Sequence, residues 1–82
     1  MKIFVSNLTT LITEEGLQQL FEPYGSVKFA GIVLSRQTGR SLGYGFIEMP
    51  NVTEAHAAIE GLQRATIEGR TLGLKVLAPL TP

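Results

Sequence analysis

The sequence predicts an α+β fold in which a four-stranded antiparallel sheet carries two helices on one face. Two observations predict it. Four short segments alternate apolar and polar residues with the period of a strand, and two segments repeat apolar residues at helical spacing. These segments follow in the order strand, helix, strand, strand, helix, strand, which is the order of ferredoxin-like proteins. Because both helices cover one face, the other face of the sheet is predicted to be open.

Length and composition predict one small globular domain. The chain has 82 residues, of which 44% are hydrophobic and 17% charged, as is typical of globular proteins. We place the domain at residues 1–78 and a short tail at 79–82. Without cysteine and with a single histidine, His56, the chain has neither disulfides nor a cysteine or multi-histidine metal site. No apolar run is long enough to cross a bilayer, so we expect a cytoplasmic domain without cofactor, metal or membrane contact.

The first strand is predicted at Lys2–Ser6, where Ile3 and Val5 face the core. Thr13 follows a polar loop and is well placed to cap the first helix, with acidic residues in its first turn. The apolar stripe of that helix consists of Leu17, Leu20 and Phe21. Pro23 then ends the helix.

Residues 27–34 are predicted to form the second strand. If Ala30 and Ile32 point to the core, Phe29 lies on the opposite face. Residues 35–41 contain Thr-Gly and no apolar side chain, which predicts a hairpin loop.

The third strand, at residues 42–49, is the most informative segment of the chain. Ile47 and Met49 suit the core. Tyr44 and Phe46 alternate with them and therefore point to the opposite face, with a glycine between them. These two rings are predicted to stand on the open face of the sheet.

A second helix is predicted at residues 53–62 and a last strand at residues 72–77, with a short ribbon or turn at 65–69 between them. The helix presents a stripe made of Ala55, Ala58, Ile59 and Leu62. In the last strand, Lys75 and Leu77 point to the open face.

The open face therefore collects apolar and aromatic side chains with cations at its rim. The apolar members are Phe4, Phe29, Val33, Tyr44, Phe46 and Leu77. The cations are Lys2, Arg40 and Lys75. Exposed apolar area on a small domain usually marks an interaction site, and flat rings bordered by cations are typical of surfaces that bind single-stranded nucleic acid. The formal net charge of zero is unusual for such a protein.

Two motifs resemble those of the RNA recognition motif family, and the resemblance extends from residue 2 to residue 78. Residues 3–8 (IFVSNL) are similar to the six-residue motif of the first strand. Residues 42–49 (LGYGFIEM) are similar to the eight-residue motif, whose pattern is basic, glycine, aromatic, small, aromatic, aliphatic, any, aromatic. Small single-domain bacterial members of the family are the most similar in outline.

The resemblance implies that Phe4, Tyr44 and Phe46 face solvent and stack bases of single-stranded RNA, or of single-stranded DNA. It also implies phosphate or base contacts from polar residues near these rings, namely Lys2, Asn7, Arg40 and Lys75. Solvated surface charge is the alternative for the basic residues. Phe29 and Leu77 are further candidates, as the lip of an RNA platform, as a contact for the tail or as part of a dimer interface.

Two positions depart from the family pattern. Leu42 stands where the family has a lysine or arginine that contacts phosphate, and Met49 replaces an aromatic residue. The first change removes one cation, which weakens phosphate binding and leaves more of the affinity to stacking.

Other function classes fit less well. A protein-interaction domain, or a homodimer, could use the same apolar face. The Gly43-Tyr44-Gly45 segment does not make a dinucleotide site, because Glu48 stands at the third glycine and the segment continues as a strand. The loop after the first strand lacks the arginine and glycine that an acyl-phosphate hydrolase of this topology needs, so we predict no enzyme.

Overall fold

The structure, a computed structural model, describes residues 1–67 and 69–77. Within this part of the chain the elements are β1 (Lys2–Ser6), α1 (Glu14–Phe21), a 3₁₀ turn (Glu22–Tyr24), β2 (Phe29–Leu34), β3 (Ser41–Glu48), α2 (Val52–Gln63), β4 (Thr66–Ile67), β5 (Arg70–Thr71) and β6 (Gly73–Leu77). The predicted fold class is confirmed. The domain boundary at residue 78 and the tail at 79–82 lie outside the described residues.

The main sheet has the strand order β2-β3-β1-β6, and every neighbouring pair is antiparallel. The short strands β4 and β5 form a separate ribbon, at the place where a ribbon or turn was predicted. β1 has the predicted bounds, and the bounds of the other elements differ from the predicted ones by at most two residues. The largest difference is the start of β2 at Phe29 rather than at residue 27, because the chain still bends at Lys28.

The hydrophobic core lies between the helices and one face of the sheet. Side chains from alternate positions of β1 and β3 meet those of both helices there, and all of them are buried. The cluster consists of Ile3, Val5, Leu8, Leu17, Phe21, Ile47, Met49, Ala55, Ala58, Leu62 and Leu72. Both helices therefore cover the same face, and the opposite face carries none of these core residues.

Each helix begins at a side-chain cap. The hydroxyl of Thr13 accepts a hydrogen bond of 3.0 Å from the N–H of Gly16, which confirms the predicted cap of α1. The side-chain oxygen of Asn51 accepts one of 3.0 Å from the N–H of Glu54 at the start of α2. These contacts satisfy backbone donors that have no partner inside a helix.

The hairpin between β2 and β3 contains an irregularity close to the open face. The register shifts between Ile32 and Leu34, opposite the part of β3 where Gly43 has a φ of +86°. The carbonyl of Gly43 accepts a hydrogen bond of 2.8 Å from the N–H of Leu8, which ties β3 to the loop after β1. Val33 lies at the shift, and so no strand partner fixes its face.

Candidate nucleic-acid interface

Strand pairing arranges the open face in rows that run across the sheet. Directly paired residues of antiparallel strands point to the same face, with Cβ atoms about 5 Å apart. The first row consists of Phe29, Glu48, Lys2 and Leu77. The second row consists of Gly31, Phe46, Phe4 and Lys75. Tyr44 lies two residues before Phe46 along β3, next to the second row.

Phe4, Tyr44 and Phe46 form a packed group that we call the ring cluster. The ring centroids of Phe4 and Phe46 are 5.5 Å apart, and those of Phe4 and Tyr44 are 5.6 Å apart. The planes are tilted by 58° and 47° respectively, between stacked and perpendicular, and both centroid distances lie in the range of interacting aromatic pairs. All three side chains are partly exposed, because each ring covers some of its neighbour. The sheet therefore presents a continuous aromatic surface to solvent.

Phe29 extends this surface at the β2 edge. Its side chain is 53% exposed. The tip of its ring lies only 2.9 Å from the point that a Cβ on Gly31 would occupy, so the ring leans over this glycine toward the second row. Because Gly31 pairs with Phe46, the glycine gives Phe29 room beside the ring cluster.

A shallow hollow of about 440 Å³ opens over the first row. Its lining residues belong to all four strands of the main sheet, and they are Lys2, Phe29, Phe46, Glu48 and Leu77. The hollow thus combines two rings, one aliphatic side chain, one cation and one carboxylate. That combination offers a base both a flat apolar contact and charged hydrogen-bonding groups.

Sequence reasoning did not single out Glu48 or Lys28 for the open face. The carboxylate of Glu48 lies 3.8 Å from the ammonium of Lys28, with the two side chains 35% and 68% exposed. Glu48 lies an even number of residues after Tyr44 and Phe46 along β3, so the alternation of side chains could have placed it on the open face. Lys28 precedes β2, and its proximity follows only from the pairing of β2 with β3.

The remaining candidates for polar contacts divide into two groups. Lys2 and Lys75 lie in the rows, exposed and adjacent to the rings. Asn7 and Arg40 do not. The amide of Asn7 donates to the carbonyl of Thr71 at 2.9 Å and accepts from Arg70 at 3.1 Å, so it holds the ribbon strand β5 near the end of β1. Arg40 lines a separate groove beside the start of α1.

Two further features bear on the kind of site present. Among residues 1–67 and 69–77, no group of three or more His, Cys, Asp or Glu side chains is placed to hold a metal ion. No helix in the same part of the chain is both long and apolar enough to cross a membrane.

Comparison with known proteins gives a consistent result. The family model of the RNA recognition motif matches residues 3–73. A protein of Nostoc sp. (strain PCC 7120), named as an RNA-binding protein, RbpB, is 44% identical over 79 residues, which cover 96% of this chain and 77% of that protein. The crystal structure of RNA-binding protein PG1 is similar with a TM-score of 0.89 and 41% identity, covering 96% of this chain and 98% of that one.

A longer relative shows similarity over one part only. The 28 kDa chloroplastic ribonucleoprotein of Nicotiana sylvestris is 42% identical over 78 residues. They cover 95% of this chain and 28% of that protein. The match to the family model, over residues 3–73, includes both motifs.

Proposed function

The chain belongs to the RNA recognition motif family, and we propose that it binds single-stranded RNA by stacking bases on Phe4, Tyr44 and Phe46. Membership confirms the family that the two motifs predicted. The observation that carries the proposal is the ring cluster, three aromatic side chains packed together on the sheet face that bears no helix. Because the members of this family are RNA-binding domains, membership supports a binding function rather than a catalytic one.

Stacking suits this surface for a physical reason. Three rings that already contact one another lose little conformational freedom when a base covers them, so most of the stacking energy is retained. Each stacked base contributes about 1–3 kcal/mol in proteins that bind single strands. Two or three stacked bases together contribute about 2–9 kcal/mol, which lowers the number of phosphate contacts that binding requires.

Charge on the same face supplies the second contribution. Lys2 and Lys75 flank Phe4 within the rows, where Lys75 is placed to approach a phosphate beside the stacked bases and Lys2 to approach a phosphate or the edge of a base. The leucine at position 42 offers no such contact and is half exposed. We assign the orientation of the bound RNA to contacts with these two lysines, and most of the binding affinity to stacking on the rings.

Titration of short single-stranded RNAs into wild type, Phe4→Ala, Tyr44→Ala and Phe46→Ala tests the proposal. Each ring removed should weaken binding about 5- to 150-fold, because one base loses its stacking partner. Fluorescence anisotropy gives the dissociation constants, and a chemical-shift titration reports the face used. Tyr44→Phe should bind like wild type, since it keeps the ring.

Leu11→Ala is the matched control, because it removes an exposed apolar side chain, 87% accessible, outside the rows. Its affinity should be that of wild type. Circular dichroism before each titration checks that every variant is folded. Unchanged affinity in all three ring variants would overturn the proposal.

Two other kinds of partner could use the same aromatic surface, and related experiments test them. Single-stranded DNA offers equal faces for stacking, so a parallel titration with DNA measures how much the 2′-hydroxyl contributes. A protein partner or a homodimer could bury Phe29 and Leu42, which are each about half exposed. Sedimentation at high concentration checks the dimer. The cytoplasmic location stays a prediction, since several relatives are named as chloroplastic.

A further inference from the structure

We propose that Glu48 and Lys2 together select guanine among the bases that the open face binds. The inference rests on the proposed function and adds a base preference to it. It assigns a role to the one carboxylate of the first row, which neither stacking nor phosphate binding explains. The site is the hollow over that row.

A carboxylate on an RNA-binding surface repels the phosphate groups of the RNA. Glu48 is nevertheless partly exposed there, between Phe29 on one side and Lys2 on the other. Its ion pair with Lys28 is long, at 3.8 Å, and both side chains reach solvent. Such a pair is weak, so it offsets the charge while leaving the carboxylate oxygens free to accept hydrogen bonds.

Lys2 completes the site from the neighbouring strand. Lys2 and Glu48 are direct cross-strand partners, so their side chains rise next to each other from the same face. Among the described residues, the ammonium of Lys2 belongs to none of the ion pairs. The first row therefore presents a donor, Lys2, beside an acceptor with two oxygens, Glu48.

This donor and acceptor pattern matches the edge of guanine. The Watson–Crick edge of guanine presents the O6 acceptor followed by the N1–H and N2–H₂ donors. An ammonium can donate to O6 while a carboxylate accepts from both N–H groups, in a charge-assisted pair of bonds. Adenine and cytosine present only one donor group on this edge. Uracil presents a single N–H between two carbonyl oxygens, and a carboxylate repels both of these oxygens.

The hollow also supplies the apolar contact that a base needs. Phe29 and Phe46 both line it, and Leu77 closes the row at the β6 end. A base that covers Phe29 lies above the row in which Glu48 and Lys2 are neighbours. A base that covers Phe46 lies in the adjacent row, next to these two side chains. Stacking and edge recognition therefore take place at one site.

The test uses a short uridine-only RNA and versions in which one central uridine is replaced by guanosine, inosine, adenosine or cytidine. Wild type should bind the guanosine RNA roughly tenfold or more tightly than the uridine RNA, as expected for a bidentate contact. Inosine lacks the N2 amino group and should fall between the two. Glu48→Gln keeps the side-chain shape, and its preference for guanosine should fall to about twofold or less.

Glu60→Gln is the matched control. It removes the same charge from the exposed side of α2, where Glu60 lies 3.9 Å from Arg64, and should keep the full preference for guanosine. Equal binding of guanosine and uridine RNAs by wild type, or an unchanged preference in Glu48→Gln, would overturn the inference and leave the proposed function intact. Failure of wild type to bind any of these RNAs would overturn the proposed function itself.

Discussion

Gly45 separates the two rings of β3, and the reason for a glycine lies on the opposite face of the strand. There the residue is buried, and a Cβ at this position would collide with the backbone carbonyl oxygen of Gly31 on β2. A backbone atom cannot rotate away as a side chain can. The close approach of β2 and β3 therefore requires glycine here, and the same approach places Phe46 beside Phe29.

Gly45→Ala should lower the free energy of unfolding by about 1–3 kcal/mol, because the strands must separate to admit a methyl group. Equilibrium urea unfolding measures the change. Gly16→Ala is the comparison, since its new Cβ would meet a side-chain atom of Ile12 at 3.2 Å rather than backbone, and alanine favours the helix. A Gly45→Ala protein as stable as wild type would contradict this prediction, because it would show that β2 and β3 can accommodate a methyl group without separating.

Helix α1 is too short to be stable by itself. It has eight residues, and isolated helices below about 12 residues are marginal in water. Two features hold it in place. Leu17 and Phe21 are buried against the sheet, and Thr13 caps the first turn, which also carries two acidic side chains near the positive end of the helix.

Thr13→Ala should destabilise the domain by about 0.5–2 kcal/mol, since the N–H of Gly16 loses its acceptor. Thermal unfolding followed by circular dichroism gives the difference. Thr53→Ala changes the same residue type in the first turn of α2, where the cap is Asn51 instead, and should not destabilise. Equal losses in the two variants would mean that the hydroxyl of Thr13 has no special role.

Periodicity in the sequence predicted the elements well and their surroundings less well. The alternation in β1 and β3 placed Phe4, Tyr44 and Phe46 on one face, because a strand has only two faces. It could not place Arg40, since the path of a loop depends on contacts that have no period. The role of Asn7 as a bridge to β5 was equally hidden, because its partners are 63 and 64 residues away.

The whole molecule is neutral, and its open face carries only a small positive charge. Lys2, Lys28 and Lys75 lie on or beside the rows, and Glu48 offsets one of them. Few phosphates can therefore be neutralised when RNA binds. Under the proposed function, ring contacts supply most of the affinity, whereas strongly basic proteins depend on the release of counterions.

A plot of the logarithm of the association constant against the logarithm of the salt concentration should consequently have a slope of about −1.4 to −2. Two or three phosphate contacts to a single strand give a slope of this size. Anisotropy titrations at several salt concentrations measure it. Lys75→Gln should reduce the slope by about 0.7, while Arg64→Gln on α2 should leave it unchanged. A slope steeper than about −4 would contradict this balance of forces.

The spacing of the ring cluster along β3 has a consequence for the RNA itself. Tyr44 and Phe46 are two residues apart, a distance of about 6.8 Å along a strand. Stacked bases in a helical strand are separated by about 3.4 Å. Consecutive bases that cover these two rings must part from each other, so binding competes with the folding of RNA into hairpins. The domain would hold its target stretched out and unpaired, and thereby keep that segment open to other molecules.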